Sequence, residues 1–379
     1  MDFDLSDEQR LLKESVDRLI LDQYQFQQRK QYMAEPAGFS LSMWSRFAEQ
    51  GLLGLPFPEA TGGFGGGSVE TMIVMEAFGR GLVVEPYFAT VLLAGGLLRR
   101  AMDPALPGSL VPRITAGTLK LAFGHVARHS RYDLANVTTA ARKDGSDYIL
   151  DGAKSVVLHG DAADKLLITA RISGARGDRD GIGLFLMDAD APGLSRRGYP
   201  TQDGLRAAEV TLNGVRATAL SDNALPLIEH AVDEAIAALC SEAVGTMQAM
   251  HDLTLEYLKT RKQFGRPIGS FQVLQHRAVD MLTALEQARS MAMFAAVMAP
   301  EENPIERRRA IAAAKVQIGR SGRLIGQEAI QLHGGIGMTM EYSVGHYFKR
   351  MTMIDQLYGD ADHHLASLAH LGGLFGAAA

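Results

Sequence analysis

The 379-residue chain contains one cysteine, Cys240, and no excess of basic residues. A single cysteine excludes a disulfide framework and a thiolate zinc cluster within the chain. With 38 Lys and Arg against 43 Asp and Glu, the net charge is -5 at pH 7. That balance argues against the basic face with which a nucleic-acid-binding protein neutralises phosphates. We therefore expect no nucleic-acid partner.

Long apolar runs are missing as well. No stretch of about 18 uncharged apolar residues occurs, so we expect no membrane span. The first residues, Met1–Asp4, are acidic and lack the basic and apolar regions of a signal peptide, which predicts a cytoplasmic protein. What remains is an ordinary globular composition, 47% hydrophobic and 21% charged. At about 150 residues per domain, the length predicts two to three domains.

Three blocks of different texture follow one another along the chain. Residues 1–117 carry apolar side chains at helical spacing, interrupted by a glycine-rich stretch at 62–67. Residues 118–222 contain short β-like runs separated by turn dipeptides: Leu119–Phe123, Thr138–Ala141, Tyr148–Leu150, Leu166–Ala170, Gly183–Met187 and Glu209–Leu212. Residues 223–379 return to helical periodicity, with long helices at about 224–260, 271–299, 304–333 and 344–357. We therefore predict a mostly α fold with an N-terminal helical domain, a middle antiparallel β-barrel and a C-terminal four-helix bundle.

Two segments at the ends of predicted long helices have the composition of anion-binding sites. Arg261 opens the segment Arg261–Gly265, and its guanidinium either binds a pyrophosphate or complements the helix dipole. In Gln331–Gly337, the glycines either let backbone amides approach an anionic ligand or form an ordinary helix C-cap. The residues alone leave both alternatives open.

Acidic residues stand at two informative places. Asp360 lies in Gly359–His364, a run that either begins a helix or holds a metal; no HExxH motif or regularly spaced partner supports a metal, and we expect none. Glu242 lies within the apolar stripe of the first long helix, where a carboxylate is either neutralised by a basic partner or suited to proton transfer.

In their order and spacing, several segments resemble motifs of the acyl-CoA dehydrogenase family. They are Leu53–Gly65, Gly152–Val157 with Ala163 and Asp164, Arg261–Gly265 with Gln272, and Gln331–Gly337. The resemblance runs nearly end to end and implies the fold that the patterning predicts. The activity it implies is FAD-dependent α,β-dehydrogenation of an acyl-CoA thioester to the trans-2-enoyl-CoA.

The resemblance also implies which residues bind FAD. Carried over by position, two side chains contact the adenine-side phosphates, Arg261 and Gln272. A second group reaches the cofactor of a partner subunit: Gln331, Gly334 and Gly335. Three residues fall where the family places an aromatic, an aliphatic and a hydroxyl residue beside the flavin ring: Val157, Leu158 and His159.

The chain departs from the family pattern at its two best-known sites. The stretch that opens the family's middle domain and contacts flavin and thioester is replaced by Gly124–His129. The catalytic glutamate that normally follows a tyrosine is replaced by Gly359, and the alternative slot on the long helix is Ala235. Asp360, one residue past the glutamate slot, is therefore our first candidate for the catalytic base, and Glu242 is the second.

The missing glutamate leaves a second hypothesis open, a non-catalytic or cofactor-completing subunit of a heteromeric acyl-CoA dehydrogenase. The segment Gly359–His364 resembles the small subunits of bacterial pimeloyl-CoA dehydrogenases, which work beside a larger homologous partner. A third, weaker reading is a flavoprotein that uses the same fold for another reaction on a thioester. The expected partners are an acyl-CoA substrate, an acceptor like electron-transfer flavoprotein, and homologous subunits in a homo- or heterotetramer.

Overall fold

The structure is a computed structural model that describes residues 4–101 and 105–373. It divides into two compact units, each assembled from distant parts of the chain. The first consists of the described parts of Met1–Gln31, Ser68–Val83 and Ile236–Ala379. The second consists of those of Tyr32–Gly67 and Val84–Ala235.

The α-helices of the described residues are α1 (Asp7–Gln23), α2 (Phe26–Ala34), α3 (Leu41–Glu49), α4 (Ser68–Gly81), α5 (Gly95–Arg99), α6 (Ala105–Thr115), α7 (Leu225–Thr260), α8 (Gln272–Met298), α9 (Pro304–His333), α10 (Val344–Gln356) and α11 (Ala361–His370). A π-helical turn at Phe88–Ala94 precedes α5. The four long C-terminal helices begin and end within a residue or two of the predicted positions. None of the helices in the described part of the chain is long and apolar enough to cross a membrane.

The first unit is mostly helical. Helix α1 begins at a capping box in which Ser6 and Gln9 bind each other's backbone amides, and it packs on α4. Helix α9 is the centre of the C-terminal helices, because α8, α10 and α11 all pack on it. It begins at Asn303, whose side chain caps the amides of Ile305 and Glu306.

Helices α4 and α7 approach each other through two glycines. A Cβ added to Gly79 would lie 2.0 Å from the carbonyl oxygen of Glu242, and one added to Gly245 would lie 1.9 Å from that of Glu76. The Thr246 hydroxyl bridges the same contact, 3.3 Å from the carbonyl oxygen of Gly79. At this crossing no side chain fits between the two backbones.

The second unit contains a closed β-barrel. Its strands are β1 (Leu121–Gly124), β2 (Ala140–Asp144), β3 (Asp147–Leu158), β4 (Lys165–Arg171), β5 (Ile182–Asp188), β6 (Leu194–Pro200) and β7 (Arg206–Ser221). The order β4-β2-β3-β7-β5 closes because β5 also pairs with β4, while β1 and β6 extend the sheet from β4 and β7. Apolar side chains fill the interior, among them Leu150, Ile168, Phe185 and Val210. The predicted architecture of helices, central barrel and helices is confirmed.

Two details of the barrel differ from the prediction. Strand β1 pairs with β4 in parallel, so the sheet is not purely antiparallel. Three dipeptides have the composition of turns. Asp144-Gly145 joins β2 to β3, but Asp151-Gly152 and Asn213-Gly214 lie inside β3 and β7. There the pairing shifts register, and Asp151 Oδ1 accepts a hydrogen bond from the Gly214 amide at 2.8 Å. Glycine permits a β-bulge as readily as a turn, so the dipeptide alone does not distinguish them.

A further two-stranded hairpin joins α7 to α8, with strands β8 (Lys262–Gln263) and β9 (Arg266–Pro267). Both residues of its turn, Phe264 and Gly265, have positive φ angles of 53° and 79°. That pair of angles is typical of a type I′ turn. The Phe264 ring at the tip is 90% exposed.

Candidate active site

The loop between α10 and α11 is held by a buried lysine that no sequence motif identifies. Lys315 on α9 is fully buried, and its Nζ lies 2.7–3.2 Å from four backbone carbonyl oxygens, those of Ile354, Asp355, Leu357 and Gly359. Burial lowers its pKa to about 8. Since all four acceptors lie in or next to this loop, Lys315 fixes the backbone that presents Tyr358, Gly359 and Asp360.

The backbone of this loop has an uncommon conformation. Tyr358 has a φ of 57° and Gly359 a φ of 115°. A Cβ added to Gly359 would lie 2.6 Å from both His363 Cδ2 and His364 Nε2. The His364 ring is buried and donates from Nε2 to the Tyr358 carbonyl at 3.0 Å. Burial lowers its pKa to about 3, so the ring is neutral. The neighbouring imidazoles thus occupy the space that a side chain at position 359 would need.

Asp360 caps helix α11. Its Oδ1 accepts a hydrogen bond from the His363 amide at 2.8 Å, and the side chain is half-buried. Its second oxygen, Oδ2, has no hydrogen-bond partner among the described residues. The carboxylate is therefore fixed through one oxygen, and the other remains available to a ligand.

Glu242, the second candidate for the base, lies in a buried ion pair. Its two carboxylate oxygens accept from Arg350 on α10, Oε1 from Nε at 2.6 Å and Oε2 from Nη2 at 2.8 Å. Both side chains are buried, at 5% and 4% exposure. This bidentate geometry is the one in which a carboxylate is best neutralised, and it occupies both oxygens.

The segment expected at the adenine-side phosphates and the segment expected to reach a partner subunit's cofactor lie at the same end of the first unit. Tyr257, one turn before Arg261, stacks on His333 with ring centroids 4.6 Å apart. His333 is the last residue of α9 and directly precedes Gly334. This stack places the Arg261 hairpin beside the Gln331–Gly335 segment.

These residues fit a large anionic cofactor such as FAD. The side chains of Arg261, Gln272 and Gln331 are exposed and make no hydrogen bonds within residues 4–101 and 105–373. Around Gly334 and Gly335, no atom of that part of the chain lies within 4 Å of an added Cβ. The Arg261 guanidinium and the Gln272 amide match the donors that a pyrophosphate requires, and the Gln331 amide with the open glycine backbone matches the group expected at a neighbour's cofactor.

The end of β3, where the family resemblance implies the flavin ring, is strained. Val156 has a φ of 53° beside a register shift between β3 and β7, and His159 has a φ of 50°. A positive φ is a true outlier for a β-branched residue, and bulges often redirect side chains next to active sites. The His159 ring is buried against Phe39, with ring centroids 6.0 Å apart, and its amide donates to the Arg206 carbonyl at 2.9 Å. Leu158 is half-buried beside it.

Residue patterns gave little sign of the buried charges around these sites. Lys315 lies in an alanine-rich face of α9, and Arg350 lies on the buried face of α10. A charged residue at an apolar position was the only signal that the sequence offered for either. The partner of Glu242 lies 108 residues away in the chain, a pairing that helical periodicity does not predict.

The chain is similar to known proteins along nearly its whole length. Models of the acyl-CoA dehydrogenase N-terminal, middle and C-terminal domains match residues 6–118, 123–215 and 225–370. The probable acyl-CoA dehydrogenase YngJ of Bacillus subtilis (strain 168) is 29% identical over 355 residues, which are 91% of this chain and 92% of that protein.

Two solved structures are similar over almost the whole chain. One is a variant of the Tcur3481-Tcur3483 steroid ACAD, at 30% identity and a TM-score of 0.87, covering 96% of this chain and 97% of that chain. The other is the FAD complex of PigA, at 26% identity and a TM-score of 0.89, covering 99% and 100%. With all three domains matched in order, the chain belongs to the acyl-CoA dehydrogenase family of FAD-dependent oxidoreductases.

Proposed function

We propose that this chain dehydrogenates an acyl-CoA thioester between its α and β carbons, with Asp360 as the base that removes the α-proton. The observation that carries the proposal is that Lys315 holds the backbone of the α10–α11 loop in place. Four carbonyl oxygens of that segment lie within 3.2 Å of Lys315 Nζ, which shares its three N–H groups among them. Asp360 follows with one carboxylate oxygen unoccupied among the described residues. A base must be held in place to act, and this loop is held.

The chemistry divides between the chain and its cofactor. Bound FAD supplies the acceptor for the β-hydride. The protein must remove a weakly acidic α-proton and stabilise the negative charge that develops on the thioester oxygen. A carboxylate within reach of the α-carbon performs the first task. Asp360 is shorter than glutamate by one methylene, so the substrate must approach its backbone more closely.

The ion pair with Arg350 makes Glu242 the weaker candidate. To accept a proton, Glu242 would have to give up the charge that neutralises a buried guanidinium, and breaking such a pair costs about 3–5 kcal/mol. A purely structural role for Glu242 needs no such loss.

Isosteric substitutions test this assignment. Asp360→Asn keeps the helix cap, since asparagine is an equally good capping residue, but it removes the base. We expect kcat to fall by at least about 100-fold while FAD content stays unchanged. Asp362→Asn, two residues further on and exposed, is the matched control and should retain full activity.

The rival base is tested by a charge-neutral double variant. Glu242→Gln alone leaves Arg350 buried without its counter-charge, so a loss of activity could come from unfolding. Glu242→Gln with Arg350→Met removes both charges, and we expect it to fold and to remain active. If it folds and is inactive while Asp360→Asn is active, Glu242 is the base.

The second candidate function is that of a cofactor-completing subunit in a heteromer. It is favoured by Gly359, since the neighbouring histidines leave no space for a glutamate at the usual position. The similar steroid ACAD, Tcur3481-Tcur3483, is named for two proteins, which is consistent with a heteromer. If both Asp360→Asn and the double variant stay active in a complex with a homologous chain, the base belongs to that partner.

The remaining assignments are proposals of the same kind. We propose an electron acceptor like electron-transfer flavoprotein, a cytoplasmic location, and domains at 1–117, 118–222 and 223–379.

We propose a homo- or heterotetramer, because Gln331, Gly334 and Gly335 are exposed and suited to a neighbour's cofactor. A monomer with bound flavin, measured by light scattering at micromolar concentration, would contradict the tetramer.

A further inference from the structure

A second carboxylate, that of Asp355, holds the start of α11. Asp355 lies in the last turn of α10 and is buried, and its Oδ1 accepts a hydrogen bond from the Ala361 amide at 3.3 Å. Ala361 directly follows Asp360 and is the first residue of α11. The first amides of a helix have no partner within the helix, so side chains or water must supply one. Asp355 supplies it at Ala361, as Asp360 does at His363.

One face of α9 is shaped to this contact. Lys315, Gly319 and Arg323 follow one another at intervals of four residues, so they lie on the same side of the helix. Lys315 Nζ lies 2.9 Å from the Asp355 carbonyl oxygen. A Cβ added to Gly319 would lie 2.3 Å from Asp355 Oδ1 and 3.0 Å from Ala361 Cβ. Glycine at position 319 therefore leaves the space in which the carboxylate meets the amide.

The other oxygen of Asp355 makes a weaker contact. Its Oδ2 lies 3.8 Å from Arg323 Nη2, and the Arg323 side chain is 65% exposed. An ion pair with so exposed a partner contributes little, because water screens it. The buried bond to Ala361 is therefore the contact by which Asp355 fixes the start of α11.

We propose that Asp355 is a positioning residue that orients the Asp360 carboxylate toward the substrate. Asp360 is bonded to the first turn of α11 through one oxygen, so the direction of its other oxygen follows the orientation of that turn. Asp355 fixes that orientation from α10, and Gly319 leaves room for it to do so. A catalytic group displaced by about 1 Å can lose a factor of about 100 in rate. This inference rests on the proposed function, in which Asp360 is the base.

Substitutions of Asp355 test the positioning role in the FAD-loaded protein. In Asp355→Ala, which removes the acceptor, we expect kcat for acyl-CoA dehydrogenation to fall roughly 10- to 100-fold, with KM within about twofold and FAD content unchanged. Asp355→Asn retains a carbonyl oxygen as acceptor and should stay within about threefold of the wild-type kcat. Arg323→Gln is the control, because it removes only the exposed partner of the same carboxylate and should leave kcat unchanged.

A measurement without turnover examines the contact by itself. Hydrogen exchange of the backbone amides at 361–363 should be faster in Asp355→Ala than in the wild type and unchanged in Arg323→Gln. Gly319→Ala, whose added methyl displaces Asp355 Oδ1, should show the same faster exchange and a lower kcat. Gly319→Ala also replaces Asp355→Ala in the test if the latter does not fold.

A double variant separates this inference from the proposed function. If Asp355 acts through Asp360, then adding Asp355→Ala to Asp360→Asn leaves the residual rate unchanged. A further fall in the double variant would contradict positioning, because Asp355 would then act without Asp360. Wild-type kcat in both Asp355→Ala and Gly319→Ala would overturn this inference alone. Full activity of Asp360→Asn would overturn the proposed function, and this inference with it.

Discussion

Single buried side chains fix the conformation of the candidate catalytic loop. Lys315 binds its backbone carbonyls, and His364 fills the space beside Gly359. Neither residue belongs to a recognisable catalytic motif, yet together they determine where Asp360 can lie. The departure from the family pattern at Gly359 is thus part of a locally consistent arrangement and not an isolated replacement.

The buried lysine gives stability a defined pH dependence. Its folded pKa of about 8 lies below the ordinary 10.5, so the unfolded chain binds the proton more strongly between those values. The contribution of this group to the free energy of unfolding therefore rises with pH, by up to about 3 kcal/mol from pH 8 to 10.5. We expect the stability difference between wild type and Lys315→Met to be larger at pH 10 than at pH 7. Denaturant unfolding measures it, and exposed Lys262→Met, the control, should show no such change.

Restoring the family's usual glutamate should fail. Gly359→Glu places a Cβ 2.6 Å from two histidine rings and forces an L-residue to a φ of 115°. We expect lower thermal stability and no gain in turnover. Adding His364→Ala should recover part of the stability by clearing the space. A single Gly359→Glu variant that is as stable as wild type and more active would contradict this view of the loop.

At the scale of elements, close helix packing depends on glycine. Helices α4 and α7 meet with their backbones in contact at Gly79 and Gly245. Elsewhere in a helix, replacing glycine by alanine stabilises by about 0.5–1 kcal/mol. Here the added methyl would overlap a carbonyl oxygen, so the sign of the effect is reversed.

We expect Gly245→Ala to destabilise the protein by about 1–3 kcal/mol or more, the usual cost of overpacking. Thermal unfolding measures the effect. Gly96→Ala on α5 is the control, because its added Cβ would make only ordinary contacts at 3.6 Å and beyond. Equal melting temperatures for Gly245→Ala and Gly96→Ala would refute the proposed crossing.

Much of the element order could be predicted, and the exceptions have physical causes. The long C-terminal helices were predicted closely because their apolar stripes run for many turns. Strand β6, with the sequence of Leu194–Pro200, was not predicted, since it is a largely exposed edge strand without a continuous apolar face. The parallel pairing of β1 with β4 joins segments about 44 residues apart, and local periodicity carries no information about such partners.

At the scale of the whole molecule, the family could be recognised but the chemistry of its site could not be completed. The order of the motifs identified the fold and the FAD cofactor, because motifs remain recognisable in the same order even at low sequence identity. The roles of Asp360 and Glu242 depended on side-chain partners that only coordinates supply. Arg350, the partner of Glu242, lies 108 residues away in the chain, so local patterns do not reveal the pair.

Cofactor retention depends on more than one element, because the donors expected at the adenine-side phosphates come from the end of α7 and the start of α8. Arg261→Ala should weaken FAD binding by roughly 10- to 100-fold, the scale of one charge-assisted hydrogen bond of about 1.5–3 kcal/mol. Flavin content after dialysis measures it. Lys262→Ala, the exposed neighbouring cation, should retain its flavin, and equal losses from both variants would indicate a nonspecific charge effect.

The most direct test of the central claim is anaerobic reduction of the protein's own flavin by an acyl-CoA. The purified, FAD-loaded chain is mixed with each of a panel of acyl-CoA thioesters, and the visible absorption of oxidised flavin is followed over time. We predict bleaching by at least one thioester, with formation of the enoyl-CoA, and bleaching at least about 100-fold slower in Asp360→Asn. Flavin that stays oxidised with every thioester, in a protein that bleaches once a homologous partner chain is added, would contradict the claim that this chain carries out the chemistry itself.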